Sequence, residues 1–222
     1  MKGQLYMPKR IDSKYYFSSA LKKLNMQKEE IPVLIKGVRG TSNAEHVPEN
    51  LAKGLLRAFF HLAVNKDGTI RYDMTELPIT HFKPKEISVS VEKLKSLGYL
   101  RDISGKELES DEQILEIKPQ DIILPACPDS KDEKADEVFL NIARFIDSLL
   151  FRFYGLKEFY NANSKDDLIG QMTVCIAPHN CAAVVGRLIG FSKTQGMLCS
   201  PYMHAAMRRD CDGDEAAVML LM

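Results

Sequence analysis

The chain has 222 residues, with 30 Lys/Arg balanced by 30 Asp/Glu and a hydrophobic fraction of 45%. That is chain and apolar content enough for one large or two small domains with a real core, and the composition is that of an ordinary globular protein. No run reaches the roughly 18 consecutive apolar residues of a membrane span, and the start MKGQLYMPKR has no signal-peptide apolar region, so a soluble, cytoplasmic protein without a membrane partner is expected.

The zero net charge hides an uneven distribution. Residues 1–40 hold nine Lys/Arg against three Asp/Glu, and residues 102–137 hold twelve acids against four bases. The basic end could face phosphate and the acidic middle should not, although both patterns also suit plain solvated faces. The five cysteines contain no C-x-x-C pair and are odd in number, which argues against a disulfide framework and a zinc ribbon. Cys175 and Cys181 bracket His179 at a spacing that is not a standard zinc arrangement, so buried or half-buried thiols are expected.

In chain order, residues 15–25 read as a short helix and 31–35 (IPVLI) as an apolar strand. The strand runs into KGVRGTSN, where two glycines beside Lys36 and Arg39 could offer backbone N–H groups to a phosphate or to a DNA backbone. The Gly-Lys-Ser/Thr ending of a P-loop is absent, and an ordinary turn explains the stretch equally well. Pro48 suits the opening of a helix that carries Leu51, Leu55, Phe59 and Leu62 on one face. NKDG at 65–68 is a hairpin turn signal, with 69–72 as the returning strand.

Lys83 and Lys85 flank Pro84 in a loop, and a short helix over 91–97 should stop at Gly98. Short strands are expected at 114–117 and 121–124, followed by an exposed loop through the charged run SKDEKADE. Val138, Ile142, Phe145, Ile146, Leu149, Leu150 and Phe153 recur at helical spacing up to Gly155, which predicts a long helix packed on the core. From Gly170 the residues become small and apolar: a strand over 171–177, a turn, and a helix over 181–189 capped by Asn180. Ala182, Ala183, Gly186 and Gly190 allow close backbone approach. Strands and turns then lead through PYMH to RRDCDGDE and a final apolar strand.

That acidic cluster carries the chemistry. In a straight strand Asp210, Asp212 and Asp214 would share one face at roughly 7 Å intervals, so convergence on an ion requires the chain to curl, and Gly213 permits the curl. Neighbouring carboxylates raise one another's pKa, a penalty that a bound divalent cation removes. A calcium loop of the EF-hand type fails, because Glu215 and Leu221 stand where Gly and Glu are needed. Magnesium, with manganese able to substitute, is the cation expected. Arg208, Arg209 and His204 flank the cluster and, with Arg187, His179, Lys83, Lys85, Lys36 and Arg39, are candidate phosphate or DNA contacts. A charged turn between strands is the plain alternative.

The runs GQMTVCIAPHNCAAVVGRLIGF (170–191) and PYMHAAMRRDCDGDEAAVMLLM (201–222) resemble the large, catalytic subunit of the archaeal D-family replicative DNA polymerase. IKGVRG, KDGTIRYD, THFKPKEISVSVEKLKSLGY, EIKPQDIIL and FYGLKEFYNA carry the same resemblance upstream, in order. The resemblance implies an α+β fold whose helical and hairpin segments lead into part of a double-psi β-barrel like that of multisubunit RNA polymerases. It places a mixed basic region at 1–125, an exposed loop at 126–136, a helical segment at 137–169 and the partial barrel with its catalytic loop at 170–222.

It further implies magnesium-dependent nucleotidyl transfer from a deoxynucleotide to a primer 3′-hydroxyl, with Asp210, Asp212 and Asp214 as metal ligands. Two ions, template-primer DNA, the remainder of the large subunit and an exonuclease-bearing small subunit complete the picture. The family often has Asn at the first ligand position and Asp after the Glu, where this chain has Asp210 and Ala216. Family subunits are much longer, so an inactive fragment or split-gene piece is expected. The rival from another class is a non-catalytic DNA- or subunit-binding module whose acidic loop stays metal-free, and a metal nuclease is a third.

Overall fold

The computed structural model describes residues 10–37, 48–65, 68–178, 180, 182–210 and 212–221. It is an α+β structure built on a closed barrel of six strands, in the order β1-β7-β4-β6-β5-β8 and back to β1. These are β1 (Tyr72–Pro78), β4 (Asp121–Pro125), β5 (Met172–Ile176), β6 (Ala183–Ser192), β7 (Met197–Cys199) and β8 (Glu215–Leu220). The β1/β7 and β4/β6 pairs are parallel and the other pairs antiparallel. A small ribbon of β2 (His81–Phe82) and β3 (Leu115–Glu116) stands apart from the barrel sheet. Among the described residues no helix is long and apolar enough to cross a membrane.

The barrel is not confined to 170–222. It also takes in β1 and β4 from the stretch expected to form a mixed basic region, because the parallel pairings need strands brought in from afar. Asp121–Pro125 is buried at every position. It has barrel neighbours on both sides and α4 (Ala135–Ser148) packs across it, as a continuous apolar strand requires. Ile122, Ile123 and Leu124 are fully buried, and each such side chain stabilises by about 2 kcal/mol. Between Ile122 and Ile123 the register with β6 slips by one residue, so that Ile123 lies opposite Gly190. A Cβ at Gly190 would come within 2.9 Å of the Ile87 carbonyl oxygen, which accounts for glycine there.

The stretch expected as a helix over 181–189 is strand β6 from Ala183. Its valines and isoleucine suit a pleated surface, and hydrogen-bonded neighbours on both sides, β5 and β4, outweigh the local cap signal at Asn180. The opposite correction applies to Pro201–Ala206, which forms helix α5. Ser200 accepts from the Met203 N–H and Pro201 occupies the first turn, a complete start signal. Residues 31–35 form no strand: Pro32 lacks a donor, and Val33 and Leu34 lie exposed. At the expected turn Gly68 has φ +86° and its N–H donates to the Asn65 carbonyl, while the Asn65 N–H donates to Thr69. The following strand begins only at Tyr72 and pairs with β8 and β7.

The other expected elements appear close to their predicted limits. Helix α1 (Ser13–Leu24) is capped by Asp12, and α2 (Leu51–Phe59) by Asn50 rather than opened by Pro48. Helix α3 (Val91–Ser96) stops before Gly98 at φ +89°. Helix α4 continues as a wider turn, Leu149–Tyr154, up to Gly155 at φ +67°. Helices α1 and α2 pack with Ile142 and Phe145 of α4 into a second core beside the barrel core. Asp147 of α4 is buried and accepts three backbone N–H bonds, from Phe159, Tyr160 and Asn161, at 2.8–2.9 Å, fixing the chain that leads back to the barrel. Cys175 and Cys199 are buried and Cys127 is half-buried.

Candidate active site

The acidic loop lies on the rim of the barrel between α5 and β8. It leaves α5 through Arg208, at φ +61°, and turns again at Gly213, at φ +96°. Space is not what selects glycine at 213, since a Cβ there would meet only the Thr75 methyl at 3.7 Å. The left-handed backbone selects it. The aspartates therefore stand on a curled loop and not on a flat strand, as their spacing implied. Pairing of Thr75 with Glu215, together with the Glu76 N–H donating to the Asp214 carbonyl at 2.9 Å, ties the loop to β1.

Asp210 and Asp212 are exposed and Asp214 is half-buried. Arg209, whose side chain is 7% exposed, donates from Nη1 to Asp214 Oδ2 and from Nη2 to the Glu215 carbonyl, both at 2.9 Å. Beneath the loop a carboxylate absent from the sequence candidates sits beside one of them. Glu76 of β1 and His204 of α5 are both 0% exposed, with His204 Nδ1 3.1 Å from Glu76 Oε1. The contact is within ion-pair distance but not aligned as a hydrogen bond, so both Glu76 carboxylate oxygens are left without a donor, while the His204 ring has the Leu77 backbone as its other polar neighbour. Burial pushes Glu76 up to about 7; Arg209 opposes this, while Asp214, Asp212 and Asp210 reinforce it. Burial lowers the pKa of His204, leaving a neutral ring at neutral pH.

Glu76 could have been found. It shares the inward phase of Met74 in the alternating pattern of β1, and a carboxylate on the core side of a strand is costly without a purpose. Recognising it depended on assigning 72–78 as a strand.

The other candidates are dispersed. Arg187 is held by Asp121 in a bidentate pair, Nε to Oδ1 and Nη2 to Oδ2, both at 2.8 Å, and the Tyr99 hydroxyl donates to the same carboxylate. Lys83 and Lys85 share Glu112 beside the β2/β3 ribbon. Lys36 is exposed, and its carbonyl accepts from Arg57, which also pairs with Glu49. Arg208 is exposed at the end of α5, whereas His204 faces inward. Arg39 and His179 lie outside the described residues.

The donor set suits a hard divalent cation, since three carboxylates stand on one turn and a fourth, orphaned one lies below. Among the described residues, however, no three His, Cys, Asp or Glu side chains are gathered tightly enough to enclose an ion. The donor chemistry suits such a cation, but the described side chains are not gathered around one.

Comparison with known sequences identifies the family of a chain with this barrel and this loop on its rim. Residues 27–222 match the family described as the DNA polymerase II large subunit DP2, catalytic domain, and the chain belongs to that family. The DNA polymerase II large subunit of Nanoarchaeum equitans is 50% identical over 95% of this chain, and that of Archaeoglobus fulgidus 48% identical over 98%. The Pyrococcus furiosus protein of the same name is 50% identical over 90%. The chain spans only 16–18% of the length of these relatives.

Proposed function

We propose that this chain is part of the catalytic subunit of a replicative DNA-directed DNA polymerase and supplies its metal-binding aspartates. Asp210, Asp212 and Asp214 would hold magnesium, or manganese in its place. When bound, the cations would lower the pKa of the primer 3′-hydroxyl and neutralise charge on the transferring phosphate, in a two-metal mechanism. The substrates would be template-primer DNA and a deoxynucleotide. The remainder of the large subunit and a small subunit with 3′-5′ exonuclease activity would be its partners, and the chain alone would be inactive. Arg208, exposed beside the loop, is the best placed of the basic residues for phosphate, while Arg187 is already committed to Asp121.

The observation that carries this reading is the Gly213-turned loop with three carboxylates on the rim of the barrel, in a chain of this family. Asp212→Asn in the complete two-subunit enzyme should lower magnesium-dependent primer extension by about a hundredfold or more while DNA binding persists. Normal extension would overturn the assignment. The rival reading, a binding module with a metal-free acidic loop, draws on the Arg209–Asp214 pair, which already neutralises one carboxylate.

A further inference from the structure

Away from the aspartate loop, the second core carries exposed aromatic rings set among cations. Helices α1 and α2 both pack against the wide turn Leu149–Tyr154. Together these three elements contain Lys14, Lys22, Lys23, Lys53, Arg57 and Arg152 and no acidic residue. Among the described residues Arg57 alone of these is paired with a carboxylate, that of Glu49. Lys23 Nζ lies 3.6 Å from the centre of the Phe153 ring. Lys53 Nζ lies 4.9 Å from the centre of the Tyr154 ring and donates to its hydroxyl. In the same stretch of chain Phe151, Tyr154 and Phe159 are 63%, 50% and 54% exposed.

Single exposed apolar residues are ordinary, but several rings brought out together on a fixed backbone mark a contact surface. The turn ends at Gly155, with φ +67°, and the Leu156 N–H donates to the Leu150 carbonyl at 2.9 Å. Buried Asp147 takes the N–H bonds of Phe159, Tyr160 and Asn161. The rings are thus held out by an ordered frame, which lowers the entropy lost when something binds them. Phe159 meets Tyr160 edge to face at 4.9 Å, and the Tyr160 hydroxyl donates to the Leu221 carbonyl at 3.0 Å. That contact lies past the far end of β8 from Glu215, roughly 20 Å along the strand from the aspartate loop.

We propose that this face binds single-stranded nucleic acid, with Lys23 and Lys53 on phosphates and Tyr154, Phe151 and Phe159 as platforms for unpaired bases. Cations without carboxylate partners call for a polyanion, and exposed flat rings call for flat apolar groups. An unpaired strand offers both at once, whereas a duplex keeps its base faces stacked inside and an acidic polypeptide answers only the charge. Lys157 and Glu158, which follow the turn, offset one another and leave the positive balance unchanged. The proposal stands independently of the metal reading.

The test is fluorescence anisotropy of a labelled oligothymidylate of about 15 nucleotides with the full 222-residue chain in EDTA, over a series of salt concentrations. Tyr154→Ala and Phe151→Ala should each weaken binding by about tenfold. Tyr154→Phe, which keeps the ring, should stay within about twofold of wild type. Lys23→Gln and Lys53→Gln should each reduce the slope of log affinity against log salt by about 0.7, while Lys106→Gln, exposed in the acidic middle, leaves it unchanged. Should Tyr154→Ala melt early, Phe151→Ala carries the comparison, because its ring is the more exposed. Ring removal without loss of affinity, or equally tight binding of a duplex of the same length, would overturn the proposal. Displacement by polyglutamate as readily as by unlabelled oligothymidylate would also overturn it and give the face to an acidic polypeptide. An oligouridylate of equal length distinguishes the source: binding of either strand supports the site, the tighter naming the sugar it meets, and binding of neither overturns it.

Discussion

Two barrel strands each carry a buried carboxylate, and the two are treated in opposite ways. Asp121, at the start of β4, is fully answered: Arg187 grips it twice at 2.8 Å and Tyr99 donates to it at 2.5 Å, while the Lys118 N–H donates in turn to the Tyr99 oxygen. Burial pushes the Tyr99 hydroxyl up, so it remains a donor across the accessible pH range. Glu76, on β1, has a neutral histidine nearby, an arginine turned elsewhere and three further aspartates above it. A closed network of polar groups locks a scaffold, whereas an open one costs stability and persists where function requires it. The Asp121 cluster fastens the barrel, and the Glu76 cluster lies open beneath the aspartate loop.

The sharpest way to break this contrast is to remove each acid. Asp121→Ala leaves the Arg187 guanidinium and the Tyr99 hydroxyl without their acceptor and should cost about 3 kcal/mol, measured as a fall in the urea midpoint. A loss below about 1 kcal/mol would show that the fastening is not one. Glu76→Gln should do the reverse and stabilise the metal-free chain in EDTA. The folded state holds the Glu76 proton up to about 7, above its ordinary value of 4.5, so its contribution is fully present below 4.5 and lost as pH rises through about 7. The gain from Gln should therefore be near zero at acid pH and reach about 2 kcal/mol above neutrality, traced by thermal melts across the range. A gain independent of pH would remove Glu76 from the contrast. The smallest effect belongs to the loop itself, where Gly213→Ala should lower stability by about 1 kcal/mol through its φ of +96° alone, as calorimetry would detect.

Most of the helices were legible in the sequence because their signals are local. Leu21, Leu24, Leu55, Phe145 and the stop residues Gly98 and Gly155 announce periodicity and termination within a few positions. The barrel was less legible because its evidence is non-local. Nothing within Ala183–Ser192 says that β5 and β4 flank it, and without them a cap and several small residues read as a helix. The aspartates and the curl at Gly213 could be read directly, since ligand chemistry and a left-handed turn leave their mark in consecutive residues. Glu76 was legible only as an inward carboxylate of β1, and its neighbour His204 comes to it only after the chain has closed on itself.

That closure has a consequence for how the protein is made. The acidic loop is anchored by β8, and β8 is wedged between β1 and β5, with Ala217 opposite Asp73 and Ile176. Pairings between segments so distant in the chain carry a large loop-closure cost and form slowly. The acidic loop is thus among the last parts of the molecule to acquire its shape, because the strand that anchors it can pair on both sides only once the barrel has shut.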